Sequence, residues 1–369
     1  LQPIKIILSG GGTGGHIFPA VAIANEIKKL VPHAEILFVG ALGKMEMEKV
    51  PNAGYKIIGV PIAGFQRKFS WSNFKLPFLI IASLLKTRKI IKDFKPNVVV
   101  GTGGYASGPL LKAAINNGIP ALLQEQNSYA GITNKLLAKN ASLICVAYEG
   151  MEKFFPKEKI MLTGNPVRQD ITNIESKRDE AFAFFNLDKT KKTVLVVGGS
   201  LGAKGINEAI SGGLQTFADN HIQLIWQTGK TYFDLAKQET KPYESQNIMA
   251  VDFITRMDLA YALADVVISR AGAGAISELC IVKKPSILVP LPTAAEDHQT
   301  QNAMSLVNKK AAILVKETDA KSNLIKEVIA LVNNEPLRKE ISANCGLLGL
   351  PNSTSIIAKE VLKLAHYQL

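Results

Sequence analysis

The chain has 369 residues, a formal net charge of +12, 47% apolar residues and 20% charged residues. That is enough apolar material for two domains with cores of their own, and too much for a disordered chain. The basic balance points to anionic partners, and nucleic acid is the least supported of them because no recognition motif, zinc finger or basic tail is present.

The first element in chain order is the apolar run Ile4–Leu8, read as a buried strand, which leads into Gly10-Gly11-Gly12-Thr13-Gly14-Gly15-His16. The run is short and breaks at glycines, so it does not read as a signal peptide. Glycines admit a ligand close to backbone amides, and the helix that follows (Pro19–Leu30) adds positive potential at its start. His16 sits where the loop enters that helix. It reads as a general base or substrate contact, against the plainer reading of a spacer, because His titrates near neutrality.

Further strands are expected at Glu35–Val39, Asn97–Val100, Ala121–Gln124 and Leu143–Val146, with a helix at Gly108–Asn116. Such βα alternation predicts a parallel sheet covered on both faces. Two polar loops lie at the carboxyl ends of these strands, where open α/β sheets bind ligands. One is Gly101–Pro109, in which Tyr105 could meet a sugar or phosphate. The other is Gln124-Glu125-Gln126-Asn127, read as a site lip, with Glu125 a second candidate base and Asn127 a partner for sugar hydroxyls.

Gln66–Lys95 differs in character. Leu76–Leu85 is almost wholly apolar and is flanked by Arg67, Lys68, Lys75, Lys86, Arg88, Lys89 and Lys92. It is too short to span a bilayer, which needs about 20 apolar residues. A core helix and a dock on an anionic membrane surface are both open; Trp71, Phe74 and the cations favour docking, over about 66–92.

Leu162–Arg168 reads as a crossing into a second domain, followed by a polar helical stretch, Ser176–Phe185. The pattern then repeats, with strands at Val194–Val197, Gln223–Gln227, Ile248–Val251, Val266–Ser269, Ser286–Val289 and Ala312–Leu314. A second glycine-rich loop, Gly198-Gly199-Ser200-Leu201-Gly202-Ala203, follows the first of these. Two Rossmann-like halves, each with a phosphate-type loop, suggest a ligand held in a cleft between them.

After Val266–Ile268 come small residues, Ala271 to Ala275, beside Arg270, which can balance phosphate charge, and Glu278 one turn into a helix. A carboxylate there can accept from both hydroxyls of a ribose; the plainer reading is a favourable helix-dipole contact, roughly 0.3–1 kcal/mol. Glu296–Asn302 could suggest a metal, but the remaining histidines show no paired ligand spacing and no Asp-x-Asp pair is present, so neither metal nor cofactor is expected. The better reading is amide side chains meeting a sugar. The three cysteines, Cys145, Cys280 and Cys345, are scattered and odd in number, as in a cytoplasmic protein with reduced thiols. An amphipathic helix, Thr354–Ala365, closes the chain, with Ile357, Val361 and Leu364 on its apolar face.

Taken in order, Gly11–His16, Gly103-Gly104-Tyr105 with Ser107-Gly108, Glu125-Gln126-Asn127, Gly198–Ser200 with Gly202-Ala203, and Arg270–Glu278 make the chain similar to the MurG family of bacterial peptidoglycan N-acetylglucosaminyltransferases over essentially its whole length. The resemblance implies the two-domain GT-B architecture, α/β, with two Rossmann-like domains facing a deep cleft. It implies inverting, metal-independent transfer of N-acetylglucosamine from UDP-N-acetylglucosamine to the muramyl-pentapeptide on undecaprenyl diphosphate, at the cytoplasmic face of the inner membrane. Thr13, Gly14, Gly15 and Asn127 would meet the donor from the first domain. Arg168, Ser200, Ile254, the turn Ala273-Gly274-Ala275-Ile276-Ser277-Glu278, and Gln299 would bind it from the second, with Glu278 on the ribose and Ile254 offering backbone groups to uracil. The family often has His where this chain has Gln124, and Gln where it has His298. The expected domains are 1–166, for acceptor and membrane, and 167–351, for the nucleotide sugar, with a helix at about 352–369 packing back on the first.

Competing readings are another UDP-sugar enzyme of the same architecture, such as an epimerase or glycolipid transferase, a nicotinamide-dependent dehydrogenase, and a non-catalytic nucleotide-sugar-binding or scaffold protein. Gly10–Gly15 does contain the dinucleotide glycine spacing. That reading leaves the second glycine loop and Arg270–Glu278 without a role.

Overall fold

A computed structural model describes residues 3–62, 76–199 and 201–368. The chain divides into two compact units, Leu1–Val167 with Pro351–Leu369, and Arg168–Leu350.

Unit 1 holds strands β1 (Lys5–Ser9), β2 (Glu35–Ala41), β3 (Lys56–Val60), β4 (Val98–Gly101), β5 (Ala121–Glu125), β6 (Leu143–Val146) and β7 (Ile160–Leu162). They form one parallel sheet in the order β3-β2-β1-β4-β5-β6-β7. The order reverses at β1, between β2 and β4, which is where a doubly wound sheet opens a crevice at its carboxyl edge. Its helices are α1 (Gly14–Leu30), α2 (Glu46–Asn52), α3 (Leu76–Phe94), α4 (Ser107–Asn116) and α5 (Ile132–Leu137).

Alternation along β1 shows how both faces are covered. Ile6 and Leu8 join a buried cluster with Ile17, Ile23 and Ile27 of α1, whereas Ile7 joins another with Leu110 and Leu111 of α4. Two strands went unread in the sequence. β3 is a half-buried edge strand carrying Lys56 and Gly59, and β7 has only three residues, so neither shows the continuous apolar run of an inner strand.

Unit 2 holds α6 (Arg178–Phe185), β8 (Thr193–Val197), α7 (Lys204–Ser211), α8 (Leu214–Asp219), β9 (Gln223–Gln227), α9 (Lys230–Thr240), β10 (Ile248–Val251), α10 (Met257–Leu263), β11 (Val266–Ser269), α11 (Ala273–Ile281), β12 (Ser286–Leu288), α12 (His298–Val307), β13 (Ile313–Leu314), α13 (Ile325–Asn333) and α14 (Glu335–Leu348). Its parallel sheet runs β10-β9-β8-β11-β12-β13, the same reversal built a second time. The last helix, α15 (Ser353–Leu364), returns to unit 1, where Ile357, Ala358, Val361 and Leu362 are buried in the cluster that contains α1. Leu364, expected on that inner face, is only partly buried, and Ala358 and Leu362 complete the face instead.

One partly buried cation in unit 2 makes stability pH-dependent. The Lys284 ammonium donates to the carbonyls of Ala264 (2.8 Å) and Ala262 (3.4 Å), and burial lowers its pKa from 10.5 to about 8. Between these two values the unfolded chain binds more protons than the folded one, so stability rises with pH across that window. Lys284→Met should flatten the rise by up to ~2 kcal/mol, read from urea midpoints at pH 8 and 10. Parallel curves for parent and variant would refute it.

Candidate functional site

In unit 1 the expected site residues lie at the carboxyl ends of β1, β4 and β5. The β1 loop is pressed onto the β4 loop. The Gly11 amide donates to the Gly103 carbonyl (3.3 Å), and Thr102 Oγ1 donates to the His16 carbonyl (2.7 Å). Gly103 and Gly104 have φ of +101° and +88°. A Cβ on Gly103 would lie 2.6 Å from His16 Cδ2, and one on Gly104 would lie 2.3 Å from the Gly11 carbonyl oxygen, so this approach needs glycine twice. The His16 ring therefore rests on Gly103, with Nδ1 3.3 Å from Thr13 Oγ1.

α1 starts at Gly14, so the amides of Gly14 and Gly15 have no carbonyl one turn back within the helix. Thr13 and Gly15 are exposed, Gly14 is half-buried, and Tyr105 is exposed on the β4 loop. The β1 loop is less open to an anion than its glycines suggest. The Gly12 amide is already taken by Glu46 Oε2 (2.9 Å), a side chain on α2 that sequence reasoning passed over.

The Gln124–Asn127 stretch is not the polar lip expected of it. Gln124, Glu125 and Gln126 are buried. Gln124 Nε2 donates to Asn165 Oδ1 (3.0 Å), and Gln126 Nε2 donates to the Thr102 carbonyl (2.7 Å) and to Gln124 Oε1. The Glu125 carboxylate accepts from the Asn127 amide (3.1 Å), Asn127 Nδ2 (3.3 Å), the Gly131 amide (3.0 Å) and Asn134 Nδ2 (2.8 Å). Burial pushes its pKa up and these donors pull it back. A carboxylate so engaged orders the loop that carries Asn127, and its lone pairs are not turned outward to receive a proton.

In unit 2 the equivalent edge opens a cavity of about 430 Å³. Its wall combines the second glycine loop (Gly198, Gly199, Gly202, Ala203, Lys204) with Arg270, Gly272 and Ala275 at the start of α11, and with Leu291, Gln299 and Glu317. Gly202 has φ +78°, and a Cβ there would lie 2.0 Å from the Thr228 carbonyl oxygen. Of the residues expected to hold the nucleotide sugar, Arg270, Ala275 and Gln299 line this cavity. Gln299 Oε1 accepts from the Leu291 amide (2.9 Å) and so shapes the wall. Ser200 lies outside the described residues.

Arg270 was expected to balance phosphate charge. Its guanidinium is instead matched by the Glu317 carboxylate, with both oxygens at 2.9 Å, and Nη1 also donates to the carbonyls of Val289 (3.1 Å) and Pro290 (3.2 Å). The pair contributes little net charge to the cavity. Lys204, at the first turn of α7, is the cation on the wall whose side chain stays 85% exposed, 3.7 Å from Glu208.

Glu278 follows on α11. Oε1 accepts from Arg168 Nε (3.1 Å) and Oε2 from the buried Tyr261 hydroxyl (3.1 Å). Burial raises the Glu278 pKa, and Arg168 acts against that rise. Ile254, just past β10, has its side chain buried. Ala273, Gly274, Ile276 and Ser277 lie on α11 between Gly272 and Glu278. Lys204, Tyr261 and Glu317 were missed in the sequence. Lys204 and Glu317 each follow the carboxyl end of a strand within a few residues, and that position is the signal that could have found them.

Two family models match the chain in order, the glycosyltransferase family 28 N-terminal domain over residues 6–146 and the C-terminal domain over residues 193–352. A protein of Parabacteroides distasonis is 54% identical over 364 residues, 99% of each chain. One of Bacteroides thetaiotaomicron is 56% identical over 366 residues, 99% of this chain and 98% of the other. Both carry the name UDP-N-acetylglucosamine–N-acetylmuramyl-(pentapeptide) pyrophosphoryl-undecaprenol N-acetylglucosamine transferase. The crystal structure of Acinetobacter baumannii MurG superposes with TM-score 0.80 at 27% identity, covering 98% of this chain and all of that one. A UDP-N-acetylglucosamine 2-epimerase from Neisseria meningitidis, at TM-score 0.66 and 15% identity over 98% of this chain and 100% of that one, shares the fold alone. With two Rossmann-like units of the GT-B type, and with both family models matched across most of its length, the chain belongs to glycosyltransferase family 28.

Proposed function

We propose that this chain transfers N-acetylglucosamine from UDP-N-acetylglucosamine to the 4-hydroxyl of N-acetylmuramyl-pentapeptide carried on undecaprenyl diphosphate, with inversion at the anomeric carbon. The observation that carries the reading is identity of more than half of all residues, over nearly the full length of both chains, with proteins named for that transfer. His16 takes the proton of the acceptor hydroxyl as that oxygen attacks the anomeric carbon. The departing UDP gathers negative charge on its diphosphate. The glycine-loop amides, the start of α7 and Lys204 stabilise that charge in the unit 2 cavity. Glu278 accepts from the ribose hydroxyls, and Ile254 offers its backbone to uracil. Thr13, Gly14, Gly15, Tyr105 and Asn127 serve the sugars from unit 1, and neither metal nor cofactor enters the scheme.

The deciding experiment incubates the protein with UDP-N-acetylglucosamine labelled in the sugar and a short-chain analogue of the lipid-linked acceptor. Labelled disaccharide and UDP in equal amounts are expected, and no change in the donor without acceptor. Epimerised sugar in the absence of acceptor would replace this reading with that of an epimerase.

Unit 1 also serves as a peripheral anchor on the cytoplasmic face of the inner membrane. On α3, Ser83, Thr87, Ile90 and Ile91 are buried, while Phe78, Ile81 and Leu85 stay exposed. Lys86, Arg88, Lys89 and Lys92 surround that exposed apolar face and are themselves exposed. Ile90 and Ile91 join the core cluster of unit 1, while an apolar face of the same helix is left over, which supports the docking reading. Arg67, Lys68, Trp71, Phe74 and Lys75, which the sequence reading joined to it, lie outside the described residues, and no described helix is long and apolar enough to cross a membrane. Phe78→Ser with Leu85→Ser should weaken binding to anionic vesicles by about 10-fold or more, while turnover of a short-chain acceptor persists. Unchanged vesicle binding would remove α3 from the docking surface.

A further inference from the structure

We propose that Glu46 is a positioning residue for the reaction, holding the loop that carries His16; this rests on the reading of His16 as the base. Glu46 is fully buried at the start of α2, and both carboxylate oxygens accept backbone amides. Oε1 takes the Ala41 amide at the end of β2, and Oε2 takes the Gly12 amide in the β1 loop, each at 2.9 Å. One side chain thus ties the carboxyl ends of two adjacent strands.

The surrounding sequence makes room for that head group. A Cβ on Gly11 would lie 2.1 Å from Glu46 Oε1, and one on Gly40 would lie 2.5 Å from Glu46 Cγ. Two glycines, Gly11 in the β1 loop and Gly40 on β2, therefore admit this carboxylate. An apolar side chain would fill the same buried place without the desolvation cost, so the acid is explained by what it holds.

What it holds leads to His16 in two steps. Gly12 has φ +84°, and Thr13 follows it. The Thr13 carbonyl accepts the His16 amide (3.1 Å), and Thr13 Oγ1 lies 3.3 Å from His16 Nδ1. On its other side the loop is held by the Gly11 amide on the Gly103 carbonyl and by Thr102 on the His16 carbonyl. Glu46 fastens the loop from the β2 side. Without it Gly12 can rotate, and the imidazole loses its fixed seat on Gly103.

The test is a double-mutant cycle on Glu46→Gln and His16→Ala, read as kcat and donor KM at saturating acceptor. Gln keeps the volume, but its amide nitrogen meets a backbone N–H donor to donor. Glu46→Gln should lower kcat by ~10–100-fold, because small displacements of a reacting group cost about that much, with donor KM within about twofold. Adding it to His16→Ala should produce no further loss, since the group it positions is already gone. Losses that multiply, or a wild-type kcat in folded Glu46→Gln, overturn the positioning role and leave His16 as the base. A wild-type kcat in His16→Ala defeats the base instead, independently of Glu46. Should Glu46→Gln fail to fold, Gly11→Ala, whose Cβ displaces the carboxylate, replaces it in the same cycle with the same expected outcome.

Discussion

His16→Ala should lower kcat by about 10²–10³-fold while donor KM moves less than about twofold, the signature of a lost proton acceptor rather than a lost binding contact. The ring sits at the carboxyl edge of β1, carried on the first turn of α1 and seated on Gly103. The other candidate, Glu125, is spent on four donors inside unit 1. Replacing it by Gln perturbs Asn127 and the Gly131 turn but removes no outward-facing base, so Glu125→Gln should cost less than about 10-fold in kcat. Initial rates of UDP release at saturating donor and acceptor compare the two directly. If Glu125→Gln proved the slower enzyme and His16→Ala kept its rate, the roles would have to be exchanged.

Glu278→Ala should raise donor KM by ~10–100-fold with a smaller fall in kcat, because the ribose contact proposed for it would be made alike in ground and transition states. The same substitution strips the Tyr261 hydroxyl, buried in unit 2, of its acceptor and leaves Arg168 without its partner. An unpaired buried hydroxyl costs about 1–3 kcal/mol, whereas the half-exposed Arg168 side chain can turn to water at little cost. A second substitution separates recognition from stability. Glu278→Ala with Tyr261→Phe removes the orphaned hydroxyl and should recover most of the lost melting temperature while donor KM stays high. Recovery of KM together with stability would show that Glu278 supports α11 and does not hold the ribose.

The inner strands of both sheets were legible because they are largely apolar runs, and two of them, β1 and β8, lead straight into glycine-rich loops. The second glycine loop, read in the sequence as a phosphate-type loop, lines the unit 2 cavity through Gly198, Gly199, Gly202 and Ala203. The first is read too simply. Its glycines look like an amide nest, yet Gly12 is already satisfied by Glu46, 34 residues away. The same error recurs in Gln124-Glu125-Gln126, where polarity suggested a solvent-facing lip and the structure shows a buried network reaching Asn165 and Asn134. Polarity by itself does not distinguish exposure from internal hydrogen bonding.

Local pattern, through hydrophobic period, turn glycines and helix starts, thus settled the two α/β units and the strand ends where chemistry would sit. Which polar groups remain available there was decided by partners distant in sequence: Arg270 with Glu317, Glu278 with Arg168 and Tyr261, and Gly12 with Glu46. A charge or an amide can serve a substrate only to the extent that the fold has not already spent it, and that accounting closes only when the chain is folded.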